Sequence, residues 1–366
     1  MIVKFTNFPK EFKILKKELN KKFNKIGSKG HYVLGEELKN FETNVQKFLK
    51  VKHVLGVGNW TEGTVMVLKA LGYKRGDEII TVSNSFIATC GAIAYEGLVP
   101  KLVDVGDDLN IDVKKIEKKI TKKTKAIMPV HLSGIPSDLD QLNKICKKKK
   151  LHLIEDAAHA FGTKYKNNYI GTIGDVGIFS LHPRKNFHVL GDGGIIVTKN
   201  KKLFKKLLLL RNHGLKNRDE VLIPGYNSRL DTFQAVIGNW IIPKAKSIAQ
   251  TRINNAKYLD KHLSKIKEIS IPPRKKNFKI VFHLYIVFAQ HRDLLLRYCL
   301  KKGIEAKIHY PIPIYKQQAY KYLKNNYKDF PITNSHLKKI ITFPCDQHKS
   351  KKELNYIIKT VSEFYK

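Results

Sequence analysis

The chain has 366 residues, 42% of them hydrophobic and 10% aromatic, which supplies a large core and excludes a disordered chain. Its formal net charge is +38, yet lysine is spread along the whole length, with only short clusters such as Lys147 to Lys150. No cluster is interleaved with aromatics and no zinc-finger, RNP-type or helix-turn-helix pattern appears, so the charge reads as a solvated surface that attracts small anions rather than a specific nucleic-acid partner.

Short β-branched runs alternate with helical patterns from about residue 50 to 200, which predicts an α/β layer structure. In chain order the strands are His53 to Val57, Glu78 to Val82, Val99 to Val103, Lys125 to Val130 and Leu151 to Glu155. Between them helices fit Thr61 to Leu71, Ser85 to Glu96, Asp112 to Ile120 and Asp138 to Lys149. Gly177 to Ser180 and Gly194 to Thr198 form a late strand pair. Asp231 to Leu263 reads as one long helix, or as two broken near Pro243. Beyond it lie strands at Tyr285 to Ala289 and Glu305 to Ile308, with helices at Asp293 to Lys302 and Lys351 to Tyr365. This predicts a large domain over residues 1–245, including an N-terminal arm over 1–30, and a smaller α+β domain over 246–366. No apolar run approaches a membrane span. Met1 to Lys10 lacks an apolar core with a cleavage site, so neither a signal peptide nor a membrane partner is expected. Cys90, Cys146, Cys299 and Cys345 have no paired or metal-like spacing, which points to a reduced cytoplasmic location.

The stretch from Leu151 to Gly194 carries the densest chemistry. Asp156 ends an apolar strand, and Ser180 and Lys185 follow the next apolar run, ahead of Gly191-Asp-Gly-Gly194. An acid, a hydroxyl and an amine at strand ends are what a protein needs to hold pyridoxal phosphate: Asp156 for the ring nitrogen, Ser180 for the phosphate, Lys185 for the imine. Lys185 must offer a neutral amine, which desolvation or a neighbouring cation such as Arg184 favours. Asp156 also suits a helix N-cap, and Glu155 points to the opposite face if the strand extends that far. His152, Asp156 and His159 do not share a face as metal ligands would, so no metal is expected; His159 suits a flat ring held by Asp156. Gly56 to Gly63 lacks the third glycine of a dinucleotide fingerprint, because Thr61 stands there. It remains either a plain turn or a phosphate site at a helix N-terminus, using Trp60 and Thr61. Phe86 follows a strand and suits either core packing or one face of a ring.

Together these segments resemble the DegT/StrS-type nucleotide-sugar aminotransferases. The resemblance is carried by Gly30 to Gly35, His53 to Leu71, Gly76 to Thr81, Met128 to Gly134, Glu155 to His159, Phe179 to Asn186, Gly191 to Gly194, Arg211 to Gly214, Gly225 to Asp231 and His309 to Pro313. It implies the type I fold of pyridoxal-phosphate (PLP) transferases, with a mostly parallel central sheet flanked by helices and a smaller α+β domain. It further implies that Lys185 joins the cofactor and shuttles the proton, with Asp156 on the ring nitrogen, His159 beside the ring hydroxyl and Phe86 stacked on the ring. Trp60 with Thr61, and Ser180, would hold the phosphate. Asn227 would reach it from a second subunit, implying a homodimer with shared sites. Arg229, His309 and Tyr310 are implied substrate contacts. The bulky Trp60 departs from the family's small residue and is expected to reshape the pocket. Lys185 favours transamination over the dehydratase branch, which carries histidine there. The implied reaction is ping-pong through the amine form of the cofactor, PMP, from glutamate to a keto group of a nucleotide-linked sugar. Gly225 to Asp231 looks more like the 3-keto branch than the 4-keto branch. The rival readings are a PLP-fold binding or regulatory protein without turnover, a nucleic-acid binder and a Rossmann dehydrogenase.

Overall fold

The computed structural model describes the whole chain, residues 1–366. The N-terminal arm is mostly helix: α1 (Phe8–Lys29) is capped by the Asn7 side chain and closed by Gly30 in a left-handed conformation. Next, α2 (Glu36–Leu49) buries Leu38, Phe41, Val45 and Leu49 at helical spacing. The α/β run follows with β1 (His53–Val57), α3 (Trp60–Ala70), β2 (Glu78–Val82), α4 (Ala88–Tyr95), β3 (Val99–Val103), β4 (Thr124–Ile127), α5 (Leu139–Lys149) and β5 (His152–Asp156). After the small hairpin β6 (Lys164–Tyr165) and β7 (Asn168–Tyr169) come β8 (Val176–Ser180), β9 (Gly194–Thr198) and α6 (Lys201–Arg211).

The main sheet has the order β1-β9-β8-β5-β4-β2-β3. Five neighbours, β8 to β3, run parallel, and β9 is antiparallel to both β8 and β1. Side chains alternate across it. Val54, Phe179, Ile195 and Val197 pack with α2, whereas Leu55, Val57, Ile178 and Ile196 pack with α3 and α6. Coverage on both faces explains why these strands read as unbroken apolar runs.

The predicted long helix breaks at Pro243, giving α7 (Thr232–Ile241) and α8 (Ala245–Leu263). Beyond it come β10 (Ile269–Ser270), β11 (Phe278–Lys279), β12 (Tyr285–Ala289), α9 (Arg292–Lys301), α10 (Pro331–Leu337), β13 (Ile340–Phe343) and α11 (Lys351–Phe364). β12 lies between β10 and β13, all antiparallel, and α8, α9 and α11 close a second core over them. Val3 belongs to that second core: its N–H donates to Gly303 and its carbonyl accepts from Glu305. The first residues of the chain are thereby pinned to the C-terminal part.

Two predicted elements are corrected. Asp112 to Ile120 is not an α-helix but two short 3-10 turns, Val113–Lys115 and Glu117–Lys119. Only Ile116 of that stretch is buried, too little anchorage for a longer helix. Glu305 to Ile308 is not a strand: Glu305 bonds to Val3 while Lys307 pairs with Thr342, so no single ladder forms. No helix is long and apolar enough to cross a membrane.

Candidate active site

Parallel strands leave their C-terminal ends, and the loops that follow, on one edge of the sheet. There β5 ends at Asp156 and β8 ends at Ser180. Because β9 runs the other way, its first residue, Gly194, pairs with both Ser180 and Val57. A Cβ on Gly194 would lie 2.7 Å from the carbonyl carbon of Asn59, so only glycine lets the β1–α3 turn come this close to Ser180. A cavity of about 590 Å³ opens above this point.

Glu155 and Asp156 point to opposite faces, as strand alternation requires. Glu155 is fully buried and accepts from the amides of Gly171, Ile173 and Gly174 and from His131. Burial would raise its pKa, but His131 and the amides together hold it below the ordinary value. It is a structural acid that fixes the loop before β8. Asp156 lines the cavity, accepting from Thr89 Oγ1 at 3.0 Å and from the Ala158 amide at 3.1 Å. Burial pushes its pKa up to about 6, against these hydrogen bonds and the Lys185 charge.

Lys185 lines the same cavity. Burial pushes its amine down to about 8, and Asp156 opposes that shift. Desolvation is therefore the cause; Arg184 acts instead on Lys307 and His309. His159 is held well below its ordinary pKa, first by burial and then by Lys185 and His309. Its Nδ1 accepts from the Ser133 amide at 3.3 Å, so the neutral ring carries its proton on Nε2. Ser133 Oγ also donates to the Leu284 carbonyl, tying His159 to the segment before β12.

At the start of α3, Asn59 Oδ1 accepts from the Glu62 amide and the Asn59 carbonyl accepts from Gly63. The Trp60 and Thr61 amides are the orphan donors that a helix N-terminus leaves over. The Trp60 side chain, expected to reshape the pocket, is directed into the core behind the turn. The indole is 6% exposed, packs into the α3 core and donates to the Ile178 carbonyl at 3.2 Å.

Of the residues singled out in the sequence, Trp60, Thr61, Phe86, Asp156, His159, Ser180, Lys185, His309 and Tyr310 line this cavity. Phe86 is 56% exposed and its ring centre lies 5.9 Å from that of Tyr310. Asn227 and Arg229 do not line it. Asn227 is exposed on the loop after α6, and Arg229 donates to Asn212 Oδ1 at 3.0 Å. His152 turns away to Tyr73 Oη at 2.7 Å. Sequence reasoning missed Phe5, Thr89, His283 and Lys307 as lining residues. Lys307 and His309 had a usable signal, since alternate residues of an extended segment share a side. Phe5 had none, because the Val3 pairing and the bond of its amide to Glu305 bring it there.

These residues fit pyridoxal phosphate. An amine of lowered pKa and a buried carboxylate meet in one cavity, and two unpartnered amides with a serine hydroxyl stand where glycine permits close approach. The DegT/DnrJ/EryC1/StrS aminotransferase family model matches residues 13–362. A Geobacillus stearothermophilus protein named a pleiotropic regulatory protein is 31% identical over 100% of this chain and 99% of its own. The Aneurinibacillus thermoaerophilus dTDP-3-amino-3,6-dideoxy-alpha-D-galactopyranose transaminase is 35% identical over 95% of both chains. NtdA of Bacillus subtilis, solved with bound cofactor PMP, superposes with a TM-score of 0.88 at 27% identity, covering 95% of this chain and 81% of that one. The chain belongs to the DegT/DnrJ/EryC1/StrS aminotransferase family, with its PLP-dependent transferase fold and pyridoxal phosphate as cofactor.

Proposed function

We propose that this aminotransferase moves an amino group from glutamate to a keto carbon, at C3, of a nucleotide-linked deoxy sugar. The observation that carries the reading is one cavity holding Lys185, its pKa lowered, beside Asp156. Its volume of about 590 Å³, and the cations Arg184 and Lys307 on its lining, support an anionic acceptor larger than an amino acid. Its relatives include named transaminases of nucleotide-linked 3-amino sugars, which supports C3.

Pyridoxal phosphate, when bound, supplies an electron sink for the charge left as the carbon–hydrogen bond beside the amine breaks. The chain's own groups do the rest. The Trp60 and Thr61 amides and the Ser180 hydroxyl hold the phosphate. Asp156, held by Thr89 and Ala158, offers its charge to the ring nitrogen, and His159 offers its Nε2–H to the ring hydroxyl. Phe86 covers one ring face. Lys185 takes and returns the proton at its Nζ, for which a pKa near 8 suits neutral pH. We further propose a homodimer in which Asn227 serves the partner's phosphate site; its exposure outside its own cavity supports that role. Four free cysteines support a reducing, cytoplasmic location.

The name of the Geobacillus relative favours a second reading, a regulator without turnover. The two are separated by incubating the PLP-loaded protein with glutamate and then with nucleotide-linked 3- and 4-keto sugars, with mass detection of the aminated product. Product from the 3-keto sugars supports the proposal. Stable PLP binding with no amino transfer to any acceptor supports the regulator.

A further inference from the structure

If the proposed reading holds, one cavity receives two unlike molecules in turn, an amino acid and a nucleotide-linked sugar. Both are anionic at the end far from the reacting carbon: the donor through its distal carboxylate, the acceptor through its diphosphate. The cavity lining contains the acids Glu62, Asp156 and Asp192 and the reacting amine of Lys185. His159, His182, His283 and His309 are held below their ordinary pKa by burial and nearby cations, so they are not standing charges at neutral pH. Arg184 and Lys307 remain as the free cations.

Neither is spent on a carboxylate. Lys307 Nζ lies 4.8 Å from the centre of the Phe5 ring, and Glu305, the acid that acts on it, accepts from the Phe5 amide at Oε2, at 2.7 Å. Burial and the Arg184 charge both disfavour the Lys307 cation, against the weaker pull of Glu305, as expected of two like charges lining one cavity. Phe5 walls the pair in, its ring centre 5.7 Å from that of His309. Arg184 is exposed and Lys307 half-buried, so the pair sits at the rim, away from the buried Asp156. Arg229 is engaged with Asn212 outside the cavity.

We infer that Arg184 and Lys307 form one anion subsite, used by the donor's distal carboxylate in the first half-reaction and by the acceptor's diphosphate in the second. Acidic amino donors are then selected by the same two residues that select nucleotide-linked acceptors. An obligate exchange follows, because donor and acceptor cannot occupy the rim together.

The test uses PLP-loaded enzyme and the variants Arg184→Gln, Lys307→Gln and Arg229→Gln. Binding of dTDP and UDP is measured by calorimetry. The rate of cofactor conversion by glutamate is compared with that by norvaline, which has no distal carboxylate. Each of the first two variants should lose about tenfold in nucleotide affinity and about tenfold in the glutamate-to-norvaline ratio, with PLP uptake unchanged. Added salt should weaken nucleotide binding by the wild type more than by the variants. The inference is overturned if only one property falls in these variants, if neither falls, or if Arg229→Gln alone removes the glutamate preference. A wild type that aminates no nucleotide-linked sugar refutes the proposed function, while the nucleotide affinities judge the subsite separately.

Discussion

Replacing Asp156 by Asn should make Lys185 more reactive at neutral pH, although it removes a group from the site. Burial lowers the Lys185 pKa to about 8, and Asp156 is the group that works against this. At pH 7 about one Lys185 amine in ten is neutral, against roughly one in three thousand for an ordinary lysine. Removing one close opposite charge lowers a cation's pKa by about one unit at the low end of such effects, so the midpoint should move toward roughly 7. The neutral fraction at pH 7 then rises about fivefold, while the plateau at high pH stays put. The assay is acetylation of the cofactor-free protein by acetic anhydride across pH 5 to 11, with the Lys185 peptide followed by mass spectrometry. A small neutral reagent needs no ring contacts, so the loss of Asp156 as a cofactor partner does not confuse the result. A wild-type midpoint near that of surface lysines, or an Asp156→Asn midpoint above the wild type, would refute the electrostatic account.

The same shift has a stability consequence. A lysine whose native pKa lies below its unfolded value destabilises the fold most below about pH 8, and the penalty fades as pH rises toward the unfolded value. Lys185→Met should therefore stabilise the cofactor-free protein by about 2–3 kcal/mol at pH 7 and by much less at pH 10, read from urea melts; equal effects at both would contradict it. Glu155→Gln places an amide among three donor N–H groups and should cost roughly 3–5 kcal/mol, with loss under 1 kcal/mol counting against the assignment. Ser180→Ala should weaken PLP binding about tenfold in equilibrium titrations without moving the melting temperature of the cofactor-free protein. Mixing inactive Lys185→Ala with Asn227→Asp protein should restore activity if sites are shared, because hybrid dimers carry one intact site. No recovery after subunit exchange would speak against the dimer role of Asn227.

The sheet was largely legible because its strands are covered on both sides and so appear as apolar runs separated by helical spacing. The strand ends were legible for the same reason, which put Asp156, Ser180 and Lys185 on one edge from the sequence alone. Trp60 shows the limit of such reading. Its position at the helix start was visible, but whether the indole faced the cavity or the core depended on Ile178, more than a hundred residues away. The Asp112 to Ile120 stretch has helical spacing on paper, yet its side chains meet too little core to hold a helix. Phe5 and His283 reach the site only through tertiary contacts, the pairing of Val3 with Ile304 and the Ser133 tie to Leu284. Local spacing carries no trace of those contacts.

The most direct measurement is a single turnover of PMP-loaded enzyme with nucleotide-linked 3-keto sugars, following the return of the cofactor's visible absorbance and the mass of the sugar. The account predicts an aminated sugar in amounts equal to the cofactor consumed, and no such product with Lys185→Ala protein loaded to the same extent. Equal turnover by the Lys185→Ala protein, or a wild type that aminates none of the nucleotide-linked keto sugars, would contradict it.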